Sequence, residues 1–558
     1  MTIETLFDMS QVVKSRELGG RHFDWIHWDL VKRHANAYKN KDGLIDTFFG
    51  VDPQKRRRKT WGQVYNDVNL MIFHMLDNGL CKEDMLITQV PNCIENVYAS
   101  YASSKIGNFY AKMQVELGEN EVMKTLEHTN PKIAIIVKEY HGRELAQWYL
   151  KFQEKNPSLK KIYVMGNDIP DGCSPVSELF DVGIRKRYSD DILDYLKTSV
   201  IEPNIIIPTG GTTGMPKLCL HTTLEIAHVH SACIADRMGF TAEDRCLVFG
   251  PLNGGTGMVW GIDATTASAS TIILLTDFTE EDACRITEEE KATLWIANPI
   301  LMGRAFNSSF FEKCDKSSLK LMGYSGAPFS PDVAEKVFSL GIKIGGLYGT
   351  SEIGACVIHK PYSDSKEELI YTNGKLIEGY DVAVIDPTGK RLPPGESGEV
   401  IIWNIHCGYF NMPEEQKEQW DDDGYQHTGD VGVWDEKGNL KIVGRLKDMI
   451  LRGAQNVFPK EIEDILIKHP KVREVAIVGM PDKDLGEKIC AFIATMDGSE
   501  MSLKDVTEFL TGKKVTKFQL PERVEIIKEL PTSPGGKIMK PKLVEIITQK
   551  LKEEGQQV

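Results

Sequence analysis

The chain has 558 residues, of which 41% are hydrophobic and 26% charged, and its formal net charge is −14. A chain of this length divides into two or more domains. The acidic balance argues against a general nucleic-acid binder. The sequence contains no apolar run of the ~18 residues that a membrane-spanning helix needs.

The 11 cysteines are scattered along the chain, and no two of them form a Cys-x-x-Cys pair. They indicate neither a disulfide framework nor a zinc site, and they fit a reducing compartment. The N-terminus lacks a basic-then-apolar signal pattern, and the last residues are not a peroxisomal address. We therefore expect a cytoplasmic protein, and the sequence leaves open whether it is a homo-oligomer.

Short apolar runs alternate with helical patterns in the first two thirds of the chain. Helices are predicted at residues 94–106 and 119–128, and strands at residues 85–90, 132–137, 161–166, 246–250, 271–276, 292–298 and 319–324. This alternation favours an α/β architecture with largely parallel sheets. Denser turns between residues 393 and 444 indicate a smaller β-rich subdomain. The basic run at residues 55–59 is interpreted as a solvated loop, with a patch for an anionic cofactor tail as the alternative.

The pattern changes near residue 459. Pro459 begins a helix with early acidic residues, and strands at residues 472–478 and 489–494 precede a helix at 503–510. These elements predict a small α+β domain, joined by a linker at residues 444–448. We therefore expect a large N-terminal α/β domain, residues 1–446, and a small mobile C-terminal domain, residues 447–558.

A glycine-rich segment follows the predicted strand at residues 205–207. It contains three glycines and three hydroxyls: Thr209, Gly210, Gly211, Thr212, Thr213 and Gly214. Glycines let backbone N–H groups turn toward an anion, and hydroxyls add donors. Lys217 supplies a charge suited to phosphate. The segment is not a Walker loop, because Leu218 stands where that motif has a metal-binding hydroxyl. The segment predicts a phosphate-binding loop whose metal ligand comes from elsewhere.

The run from Thr209 to Lys217 resembles the phosphate loop of AMP-forming acyl- and aryl-CoA synthetases. Their superfamily includes peptide-synthetase adenylation domains and luciferases, and the Gly-Gly pair and Leu218 look most like the aryl-acid adenylating branch. Further motifs match in the family's order as far as Lys537, and the α/β pattern extends the resemblance over nearly the whole chain. The resemblance implies ATP, Mg²⁺ and coenzyme A as cofactors.

Two motifs resemble the family's adenine and metal segments. One motif is similar to the family's Tyr-Gly-x-Thr-Glu and consists of Tyr348, Gly349, Thr350, Ser351 and Glu352. This resemblance implies that Glu352 holds Mg²⁺ and that Tyr348 lies along the adenine. Glu352 is a hard oxygen donor of the kind that magnesium prefers. The other motif, Ser325, Gly326, Ala327 and Pro328, resembles the family's Gly-Gly-Ala-Pro platform.

The remaining matches lie toward the C-terminus. By resemblance, Asp430 binds the ribose, Arg445 contacts ribose or phosphate, and Lys447 is the hinge. Lys537 ends a Pro/Gly-rich loop and reaches the acyl carboxylate and α-phosphate in the family. Gly453 and Ala454 correspond to the pantetheine tunnel, where Ala454 replaces a usual glycine. Lys537, Glu352, Lys217 and Thr209 are the predicted catalytic residues.

The acid pocket is assigned to Asn253, Gly254, Thr256, Gly326 and Gly346. The family usually has His at Gly254 and Gln at Gly346, so these departures predict room for a bulky acid. Neither pocket segment contains an Arg or Lys, and an unpaired buried charge is costly. We therefore expect a compact apolar monocarboxylic acid that is cyclic, aromatic or short-to-medium in chain length.

The predicted reaction has two steps. The carboxylate attacks the α-phosphorus of ATP to give acyl-AMP and pyrophosphate, and the thiol of coenzyme A then takes the acyl group. Such chemistry needs positioning and charge neutralisation more than a protein nucleophile. Transfer to a carrier protein's phosphopantetheine, a luciferase-like oxygenase and a non-enzymatic nucleotide-binding module remain the alternatives.

Overall fold

The computed structural model describes residues 5–21, 24–47, 56–209, 215–226, 233–327, 329–453, 455–532 and 538–555. The chain forms two compact units. Unit one comprises residues 1–381 and 402–426, and unit two comprises residues 382–401 and 427–558. The predicted boundary near Lys447 lies inside unit two, and it stays a prediction.

Within the residues that the structure describes, unit one contains two sheets. Its strands are β1 Asp42–Asp46, β2 Arg57–Thr60, β3 Met85–Gln89, β4 Phe109–Lys112, β5 Ile133–Val137, β6 Lys161–Met165, β7 Ser174–Pro175, β8 Pro203–Pro208, β9 Leu218–Thr222, β10 Arg245–Val248, β11 Thr271–Leu274, β12 Leu294–Ala297, β13 Leu321–Tyr324, β14 Lys343–Thr350, β15 Gly354–Ile358 and β16 Lys375–Leu376. Every strand predicted in this region is present, with bounds that shift by at most two residues.

The helices of unit one lie between these strands. They are α1 Met9–Glu17, α2 His27–Ala37, α3 Trp61–Asp77, α4 Ile94–Ile106, α5 Glu119–Thr129, α6 Leu145–Lys155, α7 Asp191–Tyr195, α8 Thr223–Glu225, α9 Ile234–Met238, α10 Thr265–Ala267, α11 Glu280–Glu290, α12 Pro299–Phe306, α13 Ser309–Lys313, α14 Pro331–Ser339, α15 Lys366–Tyr371 and α16 Pro413–Gln419. A π-helix spans Thr256–Ala264, and short 3₁₀ turns lie at Val176–Phe180 and Val182–Lys186.

Sheet A, within the described residues, has the order β16-β15-β14-β13-β12-β10-β11-β1-β2, and sheet B has the order β7-β6-β5-β3-β4-β8-β9. Strands β14 to β1 of sheet A run parallel, as do β7 to β8 of sheet B. The central strands are apolar and buried along their whole length; Ile133–Val137 is one example. Helices cover both faces of such sheets, so continuous apolar runs are expected. The predicted α/β fold class is confirmed.

The basic run differs from its prediction. Arg57 lies in β2 and pairs with the buried carboxylates of Asp46 and Glu95, and Arg58 pairs with Asp42 and Glu290. The described arginines are therefore structural ion-pair donors in an edge strand, and the interpretation as a solvated loop was wrong for them.

Unit two contains two further sheets. Its strands are β17 Asp381–Ile385, β18 Ser397–Trp403, β19 Gln426–Trp434, β20 Leu440–Arg445, β21 Ile450–Arg452, β22 Gln455–Val457, β23 Val472–Asp482, β24 Gly486–Thr495 and β25 Arg523–Ile526. Its helices are α17 Pro459–Leu466, α18 Leu503–Gly512 and α19 Lys540–Glu553, with 3₁₀ turns at Leu446–Asp448, Met496–Gly498 and Lys517–Gln519.

The first sheet of unit two has the order β17-β18-β19-β20 and forms the predicted β-rich region. The second is built on the long antiparallel hairpin of β23 and β24. One face of this hairpin packs against α17 and α18, and the other face packs against α19. No helix in the described ranges has both the length and the apolar character that crossing a membrane requires.

Candidate active site

The predicted phosphate loop joins two antiparallel strands of sheet B. Strands β8 and β9 pair with Pro208 opposite Leu218, and the Thr209 N–H donates to the carbonyl oxygen of Lys217 at 2.8 Å. Thr209 and Lys217 therefore face each other at the base of the loop. The intervening predicted residues Gly210, Gly211, Thr212, Thr213 and Gly214 lie outside the described residues.

Lys217 and Glu352 meet at one buried tyrosine. The hydroxyl of Tyr409 donates to Glu352 Oε1 at 2.8 Å, and Lys217 Nζ lies 5.0 Å from the centre of the Tyr409 ring. A cation over the face of an aromatic ring is attracted by the ring's electron density. Two of the predicted catalytic residues are thus held by the same side chain, although they are far apart in sequence.

Tyr409 is a hydrogen-bond donor at this position. Burial, together with the nearby Glu352 carboxylate, raises the pKa of Tyr409 well above its ordinary value, so the hydroxyl keeps its proton. Within the described part of the chain, Glu352 Oε2 has no hydrogen bond or ion pair. Mg²⁺ usually takes one or two carboxylates together with substrate phosphates, so a single half-satisfied carboxylate beside Lys217, the predicted phosphate-binding lysine, fits it.

A buried His–Glu pair supports the residue before Glu352. His221 Nδ1 lies 2.8 Å from Glu225 Oε1, and His221 Nε2 donates to the carbonyl oxygen of Ser351 at 2.9 Å. Both side chains are fully buried. Although burial opposes the charged form, the Glu225 carboxylate raises the pKa of His221 above its ordinary value. The pair therefore ties the end of β9 to the turn that carries Glu352.

The predicted adenine platform follows β13. Ser325 Oγ lies 2.5 Å from Thr256 Oγ1, at the start of the π-helix. Gly326 has φ of +84°, a left-handed conformation that favours glycine. Ala327 follows as a small residue, and Pro328 lies outside the described residues. The platform and the predicted pocket residue Thr256 are therefore adjacent.

The Tyr348–Glu352 segment leaves sheet A at the end of β14. Tyr348, Gly349 and Thr350 belong to this strand, which pairs antiparallel with β15. A Cβ at Gly349 would lie 1.8 Å from the carbonyl oxygen of Gly354, so only glycine fits there. The Thr350 hydroxyl donates to Gln426 Oε1 at 2.7 Å. Close strand packing therefore fixes the backbone that leads to Glu352.

The predicted acid pocket is more closed than the sequence suggested. A Cβ at Gly346 would lie 2.6–2.8 Å from ring atoms of Tyr324, so the space expected beside Gly346 is already filled. Gly254 differs, because the nearest atom to a Cβ there is the Pro251 carbonyl oxygen at 3.8 Å. The prediction of extra room is wrong at Gly346 and agrees with the open space at Gly254.

Two further side chains define the pocket segments. Asn253 Nδ2 donates to the carbonyl oxygen of Met113 at 3.0 Å, while its buried Oδ1 has no hydrogen-bond partner in the described structure. The Gly346 N–H donates to His359 Nδ1 at 3.0 Å. Burial lowers the pKa of His359 to about 4, which keeps this nitrogen unprotonated and able to accept.

Unit two carries the other predicted residues. Asp430 on β19 pairs with Arg445 on β20, with Asp430 Oδ1 2.8 Å from Arg445 Nε. Lys447 is exposed in the 3₁₀ turn Leu446–Asp448, and Gly453 has φ of +62° in the turn between β21 and β22. Ala454 and Lys537 lie outside the described residues.

Sequence reasoning missed Tyr409, His221 and Glu225. The i, i+4 spacing of His221, near the end of β9, and Glu225, in the short helix after it, was a usable signal for a local pair. Nothing in the sequence connects Tyr409 with Glu352, which is 57 residues away.

Comparison with known proteins decides the family. The sequence profile of the family described as AMP-binding enzyme matches residues 31–408, and that of the AMP-binding enzyme C-terminal domain matches residues 461–537. The chain belongs to the AMP-binding enzyme family. The superfamily predicted from the sequence motifs is confirmed.

Relatives of this AMP-binding enzyme include named ligases. A medium-chain fatty-acid–CoA ligase of Escherichia coli (strain K12) is 28% identical over 515 residues, covering 92% of this chain and 88% of the relative. A 2-hydroxy-7-methoxy-5-methyl-1-naphthoate–CoA ligase of Streptomyces carzinostaticus is 28% identical over 473 residues, which cover 83% of this chain and 84% of the relative. The crystal structure of an anthranilate CoA ligase with anthranoyl-AMP shares the fold, with a TM-score of 0.83 and 21% identity. The match covers 95% of this chain and 98% of the anthranilate CoA ligase chain.

Proposed function

We propose that this enzyme adenylates a compact carboxylic acid with ATP and then transfers the acyl group to coenzyme A. The predicted reaction class, ATP-dependent and AMP-forming carboxylate–CoA ligation, is confirmed by the family match and the named ligase relatives. The predicted cofactors ATP, Mg²⁺ and coenzyme A are confirmed with it. The meeting of Lys217 and Glu352 at Tyr409 is the observation that carries the proposal.

The acid is proposed to be an apolar monocarboxylate that is cyclic, aromatic or short-to-medium in chain length. Trp260 is fully buried on the π-helix, and Gly323 lies against its ring, so this side of the pocket region is closed. Tyr324 fills the space beside Gly346. Relatives named for a medium-chain fatty acid and for a naphthoate also support a compact acid.

The first step uses residues of unit one. The phosphates are bound by Thr209, by the loop from Gly210 to Gly214 and by Lys217. The magnesium ion would be held by Glu352. Magnesium, when bound, neutralises charge on the phosphate oxygens. Tyr409 orients the Glu352 carboxylate through its hydroxyl, and His221 fixes the neighbouring Ser351 carbonyl.

The nucleoside is proposed to bind at small and flat surfaces. The adenine lies against the platform and Tyr348. The platform residues are Ser325, Gly326, Ala327 and Pro328. In unit two, the ion pair of Asp430 and Arg445 supplies a carboxylate for the ribose hydroxyls and a cation for ribose or phosphate.

The second step is proposed to depend on unit two. Lys447 is the hinge, since hinges are few residues at the ends of elements and it lies in a 3₁₀ turn directly after β20. Gly453 and Ala454 admit the pantetheine arm, and Lys537 serves the first step only. We also propose the domain boundary at residues 446 and 447, and a cytoplasmic location.

The two lysines separate the half-reactions. Lys537→Ala should lose adenylation by at least ~100-fold, on the scale of a key charge-stabilising donor, yet convert added acyl-AMP to thioester. Lys447→Pro fixes φ at the hinge and should keep much of its adenylation but lose thioester formation. Single-turnover kinetics of each half-reaction measures both variants. Equal impairment of both halves in Lys537→Ala, or an intact second half in Lys447→Pro, would contradict the assignment.

The direct test of the function is acid-dependent exchange of pyrophosphate into ATP, followed by consumption of free thiol with coenzyme A. A panel of aromatic, cyclic and straight-chain acids defines the substrate class. Exchange without thiol consumption, together with acylation of a carrier protein's phosphopantetheine, would favour the alternative acceptor. Highest kcat/KM for dicarboxylates or long-chain fatty acids would overturn the proposed acid.

A further inference from the structure

A small buried cavity lies in unit one beside the π-helix. Its volume is about 20 Å³, and ~10–15 Å³ of such space holds one water-sized group. Its polar wall comes from five separate elements and includes His27 on α2, Ser103 on α4, Lys112 on β4, Asn204 on β8 and Asp263 on the π-helix. Met258 belongs to the apolar wall. We refer to this space as the polar chamber.

Outside the His27–Asp263 pair, three polar atoms of the chamber have no hydrogen-bond partner among the described residues. Lys112 is 3% exposed, and its Nζ has no hydrogen-bond partner among the described residues. The same holds for Ser103 Oγ and Asn204 Oδ1. Burial of an ammonium group without a partner is costly, and buried polar groups in proteins are normally satisfied. The chamber therefore offers one strong donor, one acceptor and one hydroxyl to a group that enters it.

The negative charge in the chamber is already engaged. Asp263 Oδ1 lies 2.9 Å from His27 Nε2, and both side chains are almost fully buried. Lys112 makes no ion pair within 4.0 Å in the part of the chain that the structure describes. Burial lowers the pKa of Lys112 to about 8, so most of it carries a proton at neutral pH. An entering group thus meets an ammonium donor and, nearby, a carboxylate that repels anions.

The π-helix connects the chamber with the proposed acid pocket. Thr256 at its start contacts Ser325 of the adenine platform, and Met258 and Asp263 further along it line the chamber. Helical rise of ~1.5 Å per residue places Asp263 at most ~10 Å beyond Thr256. Long π-helical segments are rare and occur frequently at functional sites.

The opposite direction is closed. A Cβ at Gly323 would lie 2.4 Å from the Trp260 ring, which shows how tightly this ring packs on sheet A. Asn253, a predicted pocket residue, donates to the carbonyl oxygen of Met113, the residue after Lys112. Met258, two residues beyond Thr256 on the π-helix, lines the chamber, so an acid whose carboxylate lies near Thr256 would reach the chamber by extending along this helix.

We propose that the polar chamber receives the far end of the acid and selects a terminal hydroxyl group there. This inference rests on the proposed function. A hydroxyl accepts a hydrogen bond from Lys112 and donates one to Asn204, and it has the size of the chamber. A second carboxylate is larger and would meet the charge of Asp263. The substrate class is thus a monocarboxylate with an apolar body and a hydroxyl at its far end.

The experiment compares matched acids in the pyrophosphate-exchange assay. The pairs are hexanoate, octanoate and benzoate, each with its terminally or para-hydroxylated form. The wild-type enzyme should show a kcat/KM at least ~10-fold higher for the hydroxylated acid of the pair whose length fits, since sites built for a substrate hydroxyl discriminate strongly. Lys112→Met should remove this preference, so that the hydroxylated and parent acids of that pair differ in kcat/KM by less than ~3-fold.

Folding and function are separated by two further measurements. Lys112 has no hydrogen bond or ion pair among the described residues, and its Nζ lies 5.6 Å from the centre of the Tyr110 ring, so Lys112→Met should leave the thermal midpoint unchanged or higher, whereas loss of a structural ion-pair partner would lower it. Asn204→Leu removes the acceptor assigned to the substrate hydroxyl and should also reduce the preference; it carries the test alone if Lys112→Met does not fold.

Three results would overturn the inference. The first is equal use of hydroxylated and parent acids by the wild-type enzyme at every length. The second is a preference that persists in both variants, and the third is a higher kcat/KM for dicarboxylates of the same length. Absence of pyrophosphate exchange with any acid would instead reject the proposed function together with this inference, so the two failures are distinguishable.

Discussion

The two ends of the candidate site in unit one treat their polar groups differently. At the proposed nucleotide end, Lys217 and Glu352 share Tyr409, and His221 is held between Glu225 and Ser351, so each functional side chain has at least one fixed contact, although Glu225 Oε2 has no hydrogen-bond partner in the described residues. At the proposed acid end, Lys112 Nζ, Asn204 Oδ1 and Asn253 Oδ1 have no hydrogen-bond partner within the described residues. Polar groups held by the protein are positioned before a ligand binds. Polar groups without partners make binding depend on what the ligand supplies.

This difference fits a division of labour between a constant and a variable substrate. The nucleotide is the same in every reaction, so fixed groups can meet it without adjustment. The acid is the reactant that must be chosen, and unsatisfied buried groups discriminate between acids that carry a matching polar atom and acids that do not. If the interpretation is right, mutations at the nucleotide end should lower activity with all acids, and mutations at the acid end should change their ranking.

The largest effect is expected at the buried His–Glu pair. Glu225→Ala leaves His221 without its partner in a fully buried position and should lower the free energy of unfolding by ~3–5 kcal/mol. The double variant His221→Leu/Glu225→Leu should be more stable than Glu225→Ala. Urea denaturation of the single and double variants gives the coupling energy.

The matched control is another i, i+4 pair, Lys504 and Glu508, whose side chains are largely exposed. Exposed pairs of this kind contribute ~1 kcal/mol or less, so Glu508→Ala should have little effect. If Glu225→Ala were no more damaging than Glu508→Ala, the nucleotide end would not be held in the way that the contacts indicate.

A smaller but still large effect is expected at the proposed metal ligand. Glu352→Ala should reduce adenylation by at least ~100-fold with every acid, because metal charge stabilisation contributes several kcal/mol. Lys217→Ala should weaken the use of ATP in the same assay. Pyrophosphate exchange is measured across a range of Mg²⁺ concentrations, with Glu414→Ala as the exposed glutamate control. Near-normal exchange with unchanged magnesium dependence would remove Glu352 from the site.

Tyr409→Phe tests how the carboxylate is positioned. The ring under Lys217 remains, and only the hydroxyl that donates to Glu352 is lost. A hydrogen bond to a charged group contributes ~1.5–3 kcal/mol, so adenylation should fall by ~10-fold and should need more Mg²⁺. Tyr149→Phe is the control, since this buried hydroxyl donates to Gln89. An unchanged magnesium requirement in Tyr409→Phe would leave Tyr409 with a packing role only.

The contrast between the two ends also explains what the sequence could predict. The phosphate loop, Glu352 and the alternation of strands and helices are local patterns, and the predicted fold class and family were confirmed. Strands with continuous apolar runs, such as β5, are recognisable because both faces are buried.

Contacts between distant segments were not predictable. Tyr409 reaches Glu352 across 57 residues, and Arg57 reaches Glu95 across 38 residues. The space beside Gly346 depends on the Tyr324 ring, which lies on a different strand. A glycine in the sequence shows only that a side chain is missing, and whether a neighbour fills the gap depends on packing.

The smallest expected effect distinguishes the two glycines of the acid end. Gly254→Ala places a methyl group in open space, with its nearest neighbour 3.8 Å away, so stability should change by less than ~0.5 kcal/mol. If Gly254 faces the acid, the added methyl should lower kcat/KM for bulky aromatic acids by ~3–10-fold and leave short acids unaffected, since one methylene changes discrimination by about this factor or more. Gly346→Ala should instead displace Tyr324, with a stability loss of ~1–3 kcal/mol typical of overpacking. Thermal unfolding and an acid panel measured on both variants separate the two cases. An unchanged ranking of acids in Gly254→Ala would show that the open space at this position is not part of the acid pocket. The residues that select the acid would then lie on the side of the π-helix that faces the polar chamber.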